Sequence, residues 1–227
     1  YPYNGTAIKY MMKESQQRKQ IEQAVKKIFL GRQKEYRKNG SKNPITVGWP
    51  VYDDKEVLRA INTLLDLRLS QGPAVREFEA EFAKYVGTKY AVAVNSGSSA
   101  NLIALNTLVE SGKVPRGSEV IIPAATFATV ASPIIQLGLI PVYVDVDPKS
   151  WNIDPREIEK AISKKTRIIM PVHTFGNPAD MSAINRIAKK YKLHVIEDCC
   201  EAHGAAIGKK KVGSFGTMGT LSFFVAH

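Results

Sequence analysis

The chain has 227 residues, of which 44% are hydrophobic, and a formal net charge of +11 at pH 7. A chain of this length and composition can form one large domain or two small ones, which excludes a disordered or low-complexity protein. No apolar run reaches the roughly 18–20 residues that cross a bilayer, and no apolar signal core precedes the first charged segment. We therefore expect no membrane partner and a cytoplasmic location.

The positive charge is concentrated near the N-terminus. Residues 1–44 contain eleven Lys/Arg and three Asp/Glu, a surplus of eight, whereas the remaining residues contain 21 and 18, a surplus of three. Apolar residues between Ile21 and Phe29 recur at i, i+4, i+7 and i+8, which predicts an amphipathic helix from 13 to 38 with a solvated basic face. A nucleic-acid-binding arm is the alternative, but no aromatic interleaving or known motif supports it, so we expect no nucleic-acid partner.

The rest of the chain alternates predicted helices with short apolar strands. A polar segment with Gly and Pro at 38–44 separates the basic arm, residues 1–44, from a body at 45–227. Helices are predicted over 53–69, 73–87, 98–112, 126–138, 154–162 and 180–192, and strands over 90–95, 119–123, 140–147, 167–173 and 194–198, with a last apolar run at 220–227. Continuously apolar strands between such helices indicate an α/β fold, with a mostly parallel sheet that helices cover on both faces.

Parallel sheets bind ligands beyond the carboxyl ends of their strands, so the residues after each predicted strand are the candidate site. Small residues follow the strand at 90–95 and open a helix at Ser96–Asn101, where backbone N–H groups favour an anion such as phosphate. An ordinary Ser N-cap is the alternative there. Asp198 ends another strand, and Phe127 follows a third, either as a core residue or as a platform on which a flat ring stacks.

Two other motifs are less informative. Cys199 and Cys200 are adjacent, which is a poor geometry for a disulfide and the wrong spacing for a metal clamp. We expect packed side chains in a reducing compartment, and no metal site. The run "GSFGTMG" at 213–219 has the spacing G-x-x-G-x-x-G, not the G-x-G-x-x-G of dinucleotide-binding loops.

Together the strand-end residues favour one kind of ligand. An anion cradle, a carboxylate, an aromatic side chain and a further hydroxyl at Ser222 suit a phosphorylated, planar, cationic ring, as in pyridoxal phosphate or pyridoxamine phosphate. The carboxylate of Asp198 would pair with the protonated ring nitrogen.

Four stretches, in this order, resemble the sugar-nucleotide aminotransferases of the DegT/StrS group, a family of fold-type I pyridoxal phosphate enzymes. They are "LSQGPAVREFEAEFAKYVGTKYAVAVNSGSSANLIAL", "VIIPAATFATVASPIIQLGLIPVYVDVD", "PVHTFGNPADMSAI" and "VIEDCCEAHGAAIGKKKVGSFGTMGTLSFF". The resemblance runs from about residue 45 to residue 227. It implies the large cofactor-binding domain of that fold, truncated here, with a seven-stranded type of sheet and with the family's small C-terminal domain missing from this chain.

The resemblance also implies roles for single residues. Gly97 and Ser98 match the phosphate-binding turn, and Ser222 matches the serine that adds a side-chain oxygen to the phosphate site. Phe127 matches the aromatic residue that stacks on the ring, and Asp198 matches the partner of the ring nitrogen.

Two further positions depart from the usual family pattern. Glu201 stands where many relatives have glutamine near the ring hydroxyl. Ordinary members read S-F-x-x-x-K, and their lysine holds the cofactor covalently; counted from Ser222, that position is His227. This substitution resembles the pyridoxamine-phosphate-dependent 3-dehydratases of nucleotide-linked 4-keto-6-deoxyhexoses, and "EDCCEAHG" and "SFFVAH" look closest to the type that acts on the CDP sugar. It implies that His227 is the catalytic base, an imidazole with an ordinary pKa of about 6.5, which removes a proton from the C4′ carbon of the cofactor.

The same resemblance implies a nucleotide-sugar substrate, a homodimer and a role in making 3,6-dideoxy sugars, as in lipopolysaccharide O-antigen. One subtype takes electrons from a reductase through a two-iron two-sulfur cluster, whose cysteines would lie beyond residue 227, and another regenerates the amine from glutamate. A pyridoxal-phosphate-dependent sugar aminotransferase is the first alternative, and the register from Ser222 to His227 argues against it. An inactive fragment or a regulatory relative is the second.

Overall fold

The structure is a computed structural model that describes residues 5–39, 52–68 and 70–225. It contains two compact units, Tyr1–Ala74 and Val75–His227. The boundary predicted after residue 44 lies outside the described residues. None of the described helices is both long enough and apolar enough to cross a membrane.

The first unit contains two described helices, α1 (Gly5–Asn39) and α2 (Asp54–Leu65). The predicted basic helix is therefore present and begins earlier than predicted. Its apolar stripe is narrower than predicted, because Val25 is buried whereas Ile28 is exposed. Among the described residues of this unit, α2 is the helix that packs on α1, and it is 12 residues long, so it covers only part of the stripe.

The N-terminus of α2 illustrates how the local sequence forms these elements. The Asp53 side chain accepts a hydrogen bond from the backbone N–H of Lys55, and the Glu56 side chain accepts one from the backbone N–H of Asp53. This reciprocal pair is a capping box, which satisfies N–H groups that the helix itself leaves open.

The second unit is the α/β domain that the sequence predicts. Its helices are α3 (Pro73–Val86, which begins just before the unit boundary), α4 (Gly97–Glu110), α5 (Ala128–Gln136), α6 (Pro155–Ala161) and α7 (Met181–Tyr191). Its strands are β1 (Glu119–Pro123), β2 (Ile140–Val144), β3 (Thr166–Ile169), β4 (His194–Asp198) and β7 (Met218–Thr220), and a short hairpin consists of β5 (Ala206–Ile207) and β6 (Lys210–Lys211).

The described sheet has five parallel strands in the order β2-β1-β3-β4-β7. Side chains alternate across the strands, so Val120 and Ile122 of β1 join one hydrophobic cluster with α4 and α5, whereas Ile121 joins another with α6 and α7. Two separate clusters show that helices cover both faces of the sheet, as the apolar strands predict.

The strand predicted at 90–95 is wrong. The segment forms no ladder, and Tyr90 and Val92 are exposed. The backbone N–H of Ala93 donates to the Glu79 carboxylate instead, at 2.9 Å. Apolar alternation favours an extended backbone, but a strand also needs a neighbour to share its hydrogen bonds, and no described strand lies beside this one.

Candidate functional site

Asp198 is the last residue of β4, and its carboxylate is buried and held at both oxygens. Its Oδ2 accepts a hydrogen bond from Nδ2 of Asn101 at 2.9 Å, and its Oδ1 accepts one from the backbone N–H of Cys200 at 3.0 Å. Each carboxylate oxygen can accept about two hydrogen bonds, so each has capacity for one more. The site therefore contains a fixed carboxylate that can still accept a ligand N–H group.

Asn101 lies on α4, and sequence reasoning missed it. Its side chain is fully buried, and it contacts Asp198, the backbone carbonyl of Thr129 and the hydroxyl of Thr220. Helical periodicity could have revealed it, because Ala104, Leu105 and Leu108 follow Asn101 at i+3, i+4 and i+7. That spacing places a polar side chain on the buried face of the helix.

The N-terminus of α4 lies against Ser222. Ser96 is the N-cap, and its Oγ accepts a hydrogen bond from the backbone N–H of Ser99. A Cβ atom at Gly97 would lie 2.8 Å from Cβ of Ser222 and 3.1 Å from Sγ of Cys200. A helix leaves its first N–H groups without internal partners, so Gly97 and the exposed Ser98 present donors beside the Ser222 hydroxyl.

Phe127 and Glu201 lie on loops at the same edge of the sheet. Phe127 precedes α5 and is 74% exposed, so it is not a core residue. Its neighbour Thr126 has a buried hydroxyl that has no hydrogen-bond partner within the described part of the chain. Glu201 accepts a hydrogen bond from the backbone N–H of Phe175, at 2.9 Å, and so holds that residue in a left-handed conformation, with φ of 53°.

The structure thus brings several of the predicted residues together. Ser222 and Cys200 both lie next to Gly97, and Asn101 connects α4 to Asp198 and to the segment that follows Phe127. Glu201 follows Cys200 in the chain. His227 lies outside the described residues.

The two cysteines are free thiols. Burial raises the pKa of both, and the negative charge of the nearby Glu197 and Asp198 acts in the same direction on Cys199, as does that of Asp198 on Cys200. At neutral pH both side chains are therefore neutral thiols, which makes them poor nucleophiles.

A second buried carboxylate lies next to Asp198. Glu197 is fully buried, and its Oε2 lies 3.1 Å from Nε2 of His173. Nδ1 of His173 accepts a hydrogen bond from the backbone N–H of Ala179, so Nε2 carries the proton and donates it to Glu197. Three backbone N–H groups also donate to the Glu197 carboxylate, at 2.6–2.8 Å; they belong to Gly213, Phe215 and Gly216.

This cluster is structural. Possible ligand atoms of His173, Glu197 and Cys199 lie within 4.8 Å of one another. However, the imidazole of His173 already uses both nitrogens, and four donors saturate the carboxylate. A metal ion would have to displace these hydrogen bonds. The glycine-containing run at 213–219 therefore supplies backbone donors to a carboxylate.

The comparisons with known proteins agree on one family. The sequence model of the DegT/DnrJ/EryC1/StrS aminotransferase family matches residues 51–227. GDP-4-keto-6-deoxy-D-mannose 3-dehydratase of Yersinia pseudotuberculosis is 41% identical over 179 residues, which are 78% of this chain and 45% of that protein. dTDP-3-amino-3,6-dideoxy-alpha-D-galactopyranose transaminase of Aneurinibacillus thermoaerophilus is 42% identical over 170 residues, which are 74% of this chain and 46% of that protein.

A solved structure has the same fold. The E. coli GDP-4-keto-6-deoxy-D-mannose-3-dehydratase with bound hydrated PLP superposes with a TM-score of 0.76 at 36% identity, and the match covers 81% of this chain and 48% of that one. The chain thus spans about half the length of the relatives that it matches. These relatives include both dehydratases and transaminases.

Proposed function

The chain belongs to the DegT/DnrJ/EryC1/StrS aminotransferase family, and from this premise we propose that it is the cofactor-binding part of a pyridoxamine-phosphate-dependent 3-dehydratase. The substrate would be a nucleotide-linked 4-keto-6-deoxyhexose, and the product would lead to a 3,6-dideoxy sugar.

One observation carries the choice of a dehydratase over an aminotransferase. Ser222 lies against Gly97 at the N-terminus of α4, as a phosphate-binding serine of this family should. Five residues later, where ordinary members have the lysine that binds the cofactor covalently, this chain has His227. Histidine cannot make that link, so the cofactor would stay free to serve in its amine form.

The described residues fit a phosphorylated pyridine ring. When bound, pyridoxamine phosphate supplies an amine for the sugar ketone and a ring that accepts electrons. The backbone N–H groups of Gly97 and Ser98 and the hydroxyl of Ser222 would bind its phosphate, because the absent side chain at Gly97 leaves room for close approach.

Asp198 would accept a hydrogen bond from the ring nitrogen through its remaining acceptor capacity. The exposed ring of Phe127 would cover one face of the cofactor. Glu201 would lie near the ring hydroxyl, a position supported by its place three residues after Asp198.

His227 would act as the general base that removes a proton from the C4′ carbon. An imidazole with an ordinary pKa of about 6.5 is largely neutral at pH 7 and can accept a proton there. A lysine would need its pKa lowered by several units to do the same. The substitution would thus favour elimination of the C3 hydroxyl over amino transfer.

The partners follow from the same proposal. Dehydratase relatives are named for nucleotide-linked sugars, which supports a substrate of that class. The enzyme would be a cytoplasmic homodimer. The electron supply is either a reductase with an iron–sulfur cluster or glutamate. The basic helix before residue 44 would be an N-terminal arm of the cofactor-binding domain at 45–227.

Reduction with borohydride in the presence of pyridoxal phosphate tests the proposal. In the full-length protein, peptide mass spectrometry should find no covalent label at position 227. His227→Lys is the matched control and should acquire the label. His227→Asn should still bind pyridoxamine phosphate, but it should lose the exchange of the C4′ proton with deuterated solvent. A stable label on the unmodified protein at position 227, or full dehydration by His227→Asn, would favour a transaminase or another base.

A further inference from the structure

Asn101 connects three elements at the candidate cofactor site. Its Nδ2 donates to Oδ2 of Asp198 at 2.9 Å, and its Oδ1 accepts from the hydroxyl of Thr220 at 2.6 Å. All three side chains are buried. The hydrogen bonds therefore join α4, the end of β4 and the end of β7 where water has little access.

The surroundings allow the amide of Asn101 only one orientation. Its Nδ2 faces two groups that can only accept, the Asp198 carboxylate and the backbone carbonyl of Thr129. A flipped amide would place its oxygen against both acceptors. The Thr220 hydroxyl lies 2.6 Å from the amide oxygen and 3.3 Å from the backbone carbonyl of Glu197, so the amide oxygen is its nearer acceptor in this orientation.

A neutral donor has a particular effect on a buried carboxylate. Nδ2 of Asn101 and the backbone N–H of Cys200, which donate to the Asp198 carboxylate, are both neutral. Lysine or arginine in this place would also neutralise the charge, whereas an amide leaves it available to a cationic ligand. The carboxylate is thus held in place and keeps its capacity to pair with a cationic ligand.

The positions of Asn101 and Thr220 in the chain connect the proposed phosphate site to Asp198, the proposed partner of the ring nitrogen. Asn101 lies one helical turn after Gly97 on α4, and Thr220 lies two residues before Ser222. The Asn101–Thr220 hydrogen bond therefore joins α4, which carries Gly97, to the end of β7, which leads to Ser222. The same Asn101 side chain contacts Asp198.

We propose that Asn101 is a positioning residue: its amide, which accepts a hydrogen bond from Thr220, holds the Asp198 carboxylate aimed at the ring nitrogen of the cofactor, so that this nitrogen stays protonated. The inference rests on the proposed function, because it requires a pyridine cofactor at this site.

The test measures the ring nitrogen directly. Full-length protein is loaded with pyridoxamine phosphate labelled with ¹⁵N in the ring, and the ¹⁵N chemical shift is followed from about pH 6 to 9. The unmodified protein should keep the protonated shift throughout. In Asn101→Leu we expect the nitrogen to lose its proton within this range, and the Kd for the cofactor to rise about tenfold.

Three further variants keep the test independent of folding defects. Thr220→Val removes the hydroxyl that orients the amide, and should shift the titration in the same direction by less; Thr220→Ser should restore it. Asn106→Leu makes the same chemical change five residues further along α4, at a half-buried position, and should leave the ¹⁵N titration unchanged.

The outcomes separate this inference from the proposed function. If the unmodified protein does not bind the cofactor, both are wrong. If it binds the cofactor with a protonated nitrogen, and Asn101→Leu and Thr220→Val titrate like the unmodified protein, the role of Asn101 is overturned while the proposed function stands. Labelling at position 227 by borohydride tests the proposed function without reference to Asn101.

Discussion

Ser222 occupies the space that a side chain at position 97 would need, because a Cβ atom on Gly97 would lie 2.8 Å from Cβ of Ser222. In Gly97→Ala the first turn of α4, which is the proposed phosphate site, or Ser222 must move. We expect a loss of about 1–3 kcal/mol in the free energy of unfolding and a rise of about tenfold or more in the Kd for pyridoxamine phosphate. Fluorescence titration and urea denaturation measure the two effects.

The control for this prediction is Gly31→Ala on α1. A Cβ atom there would have no neighbour within 4 Å. Alanine in a helix interior is more stable than glycine by about 0.5–1 kcal/mol, so this variant should be slightly stabilised and should bind the cofactor normally. Unchanged affinity in Gly97→Ala would contradict the phosphate site.

The buried carboxylate of Glu197 should contribute strongly to stability. In Glu197→Gln, one oxygen becomes an NH₂ group that faces N–H donors, so at least one hydrogen bond becomes a clash of donors. We expect the free energy of unfolding to fall by about 3 kcal/mol, measured by urea denaturation.

Glu119→Gln is the matched control on β1. The Glu119 carboxylate accepts hydrogen bonds from the hydroxyls of Ser163 and Thr166, and an amide oxygen can accept the same bonds. Its cost should stay below about 1 kcal/mol. Equal stability of the two variants would show that the backbone donors to Glu197 find other partners.

The thiols should react slowly in the folded protein. Burial raises the pKa of Cys199 and Cys200, so little thiolate is present near pH 8. We expect iodoacetamide to modify both at least about tenfold more slowly in the native than in the urea-unfolded protein. Peptide mass spectrometry over time measures the two rates, and equal rates would mean that this loop is open.

The charge of Asp154 should stabilise α6 in a pH-dependent way. The Asp154 side chain accepts hydrogen bonds from the side chain and the backbone N–H of Arg156, and the Arg156 side chain is the larger cause that lowers the pKa of the carboxyl. Because the folded pKa is below the unfolded value of about 3.9, this contribution is present above that pH and is lost as the pH falls through the folded pKa.

Asp154→Asn isolates the charge, because asparagine also caps helices. We expect the variant to be less stable than the unmodified protein by about 0.3–1 kcal/mol at pH 7. The difference should shrink as the pH falls below about 4, and urea denaturation at several pH values measures it. A difference that grows in acid would contradict the assignment.

The sequence was sufficient to predict most elements of the α/β domain. The helix predicted over 154–162 is present, with Asp154 as its N-cap and Pro155 in its first turn, and β4 ends at Asp198 as predicted. These features depend on local periodicity and on residues next to each other in the chain. The strand predicted at 90–95 was wrong because a strand requires a neighbouring strand, and local sequence pattern does not reveal one.

The buried polar contacts were hidden from sequence for a related reason. Asn101 meets Asp198 across 97 positions and Thr220 across 119. Glu197 and His173 were predicted only as strand residues, and the structure buries both fully, with Nε2 of His173 3.1 Å from Oε2 of Glu197. Local sequence pattern does not show which distant side chains will meet. The sequence therefore predicted candidate residues at the strand ends, and it missed the buried residues that hydrogen-bond to them.

Glu197 and Asp198 are adjacent carboxylates whose side chains alternate across β4. A slip of one residue in the pairing of β4 would move each side chain to the neighbouring position, on the opposite face of the sheet. In one direction, the shorter carboxylate of Asp198 would then face the three backbone donors and His173, while Glu197 would take the place of Ile196 in the hydrophobic cluster with α4 and α5. Both environments would lose hydrogen bonds at once, so this pair of acidic residues selects against misregistered pairing of the strand during folding.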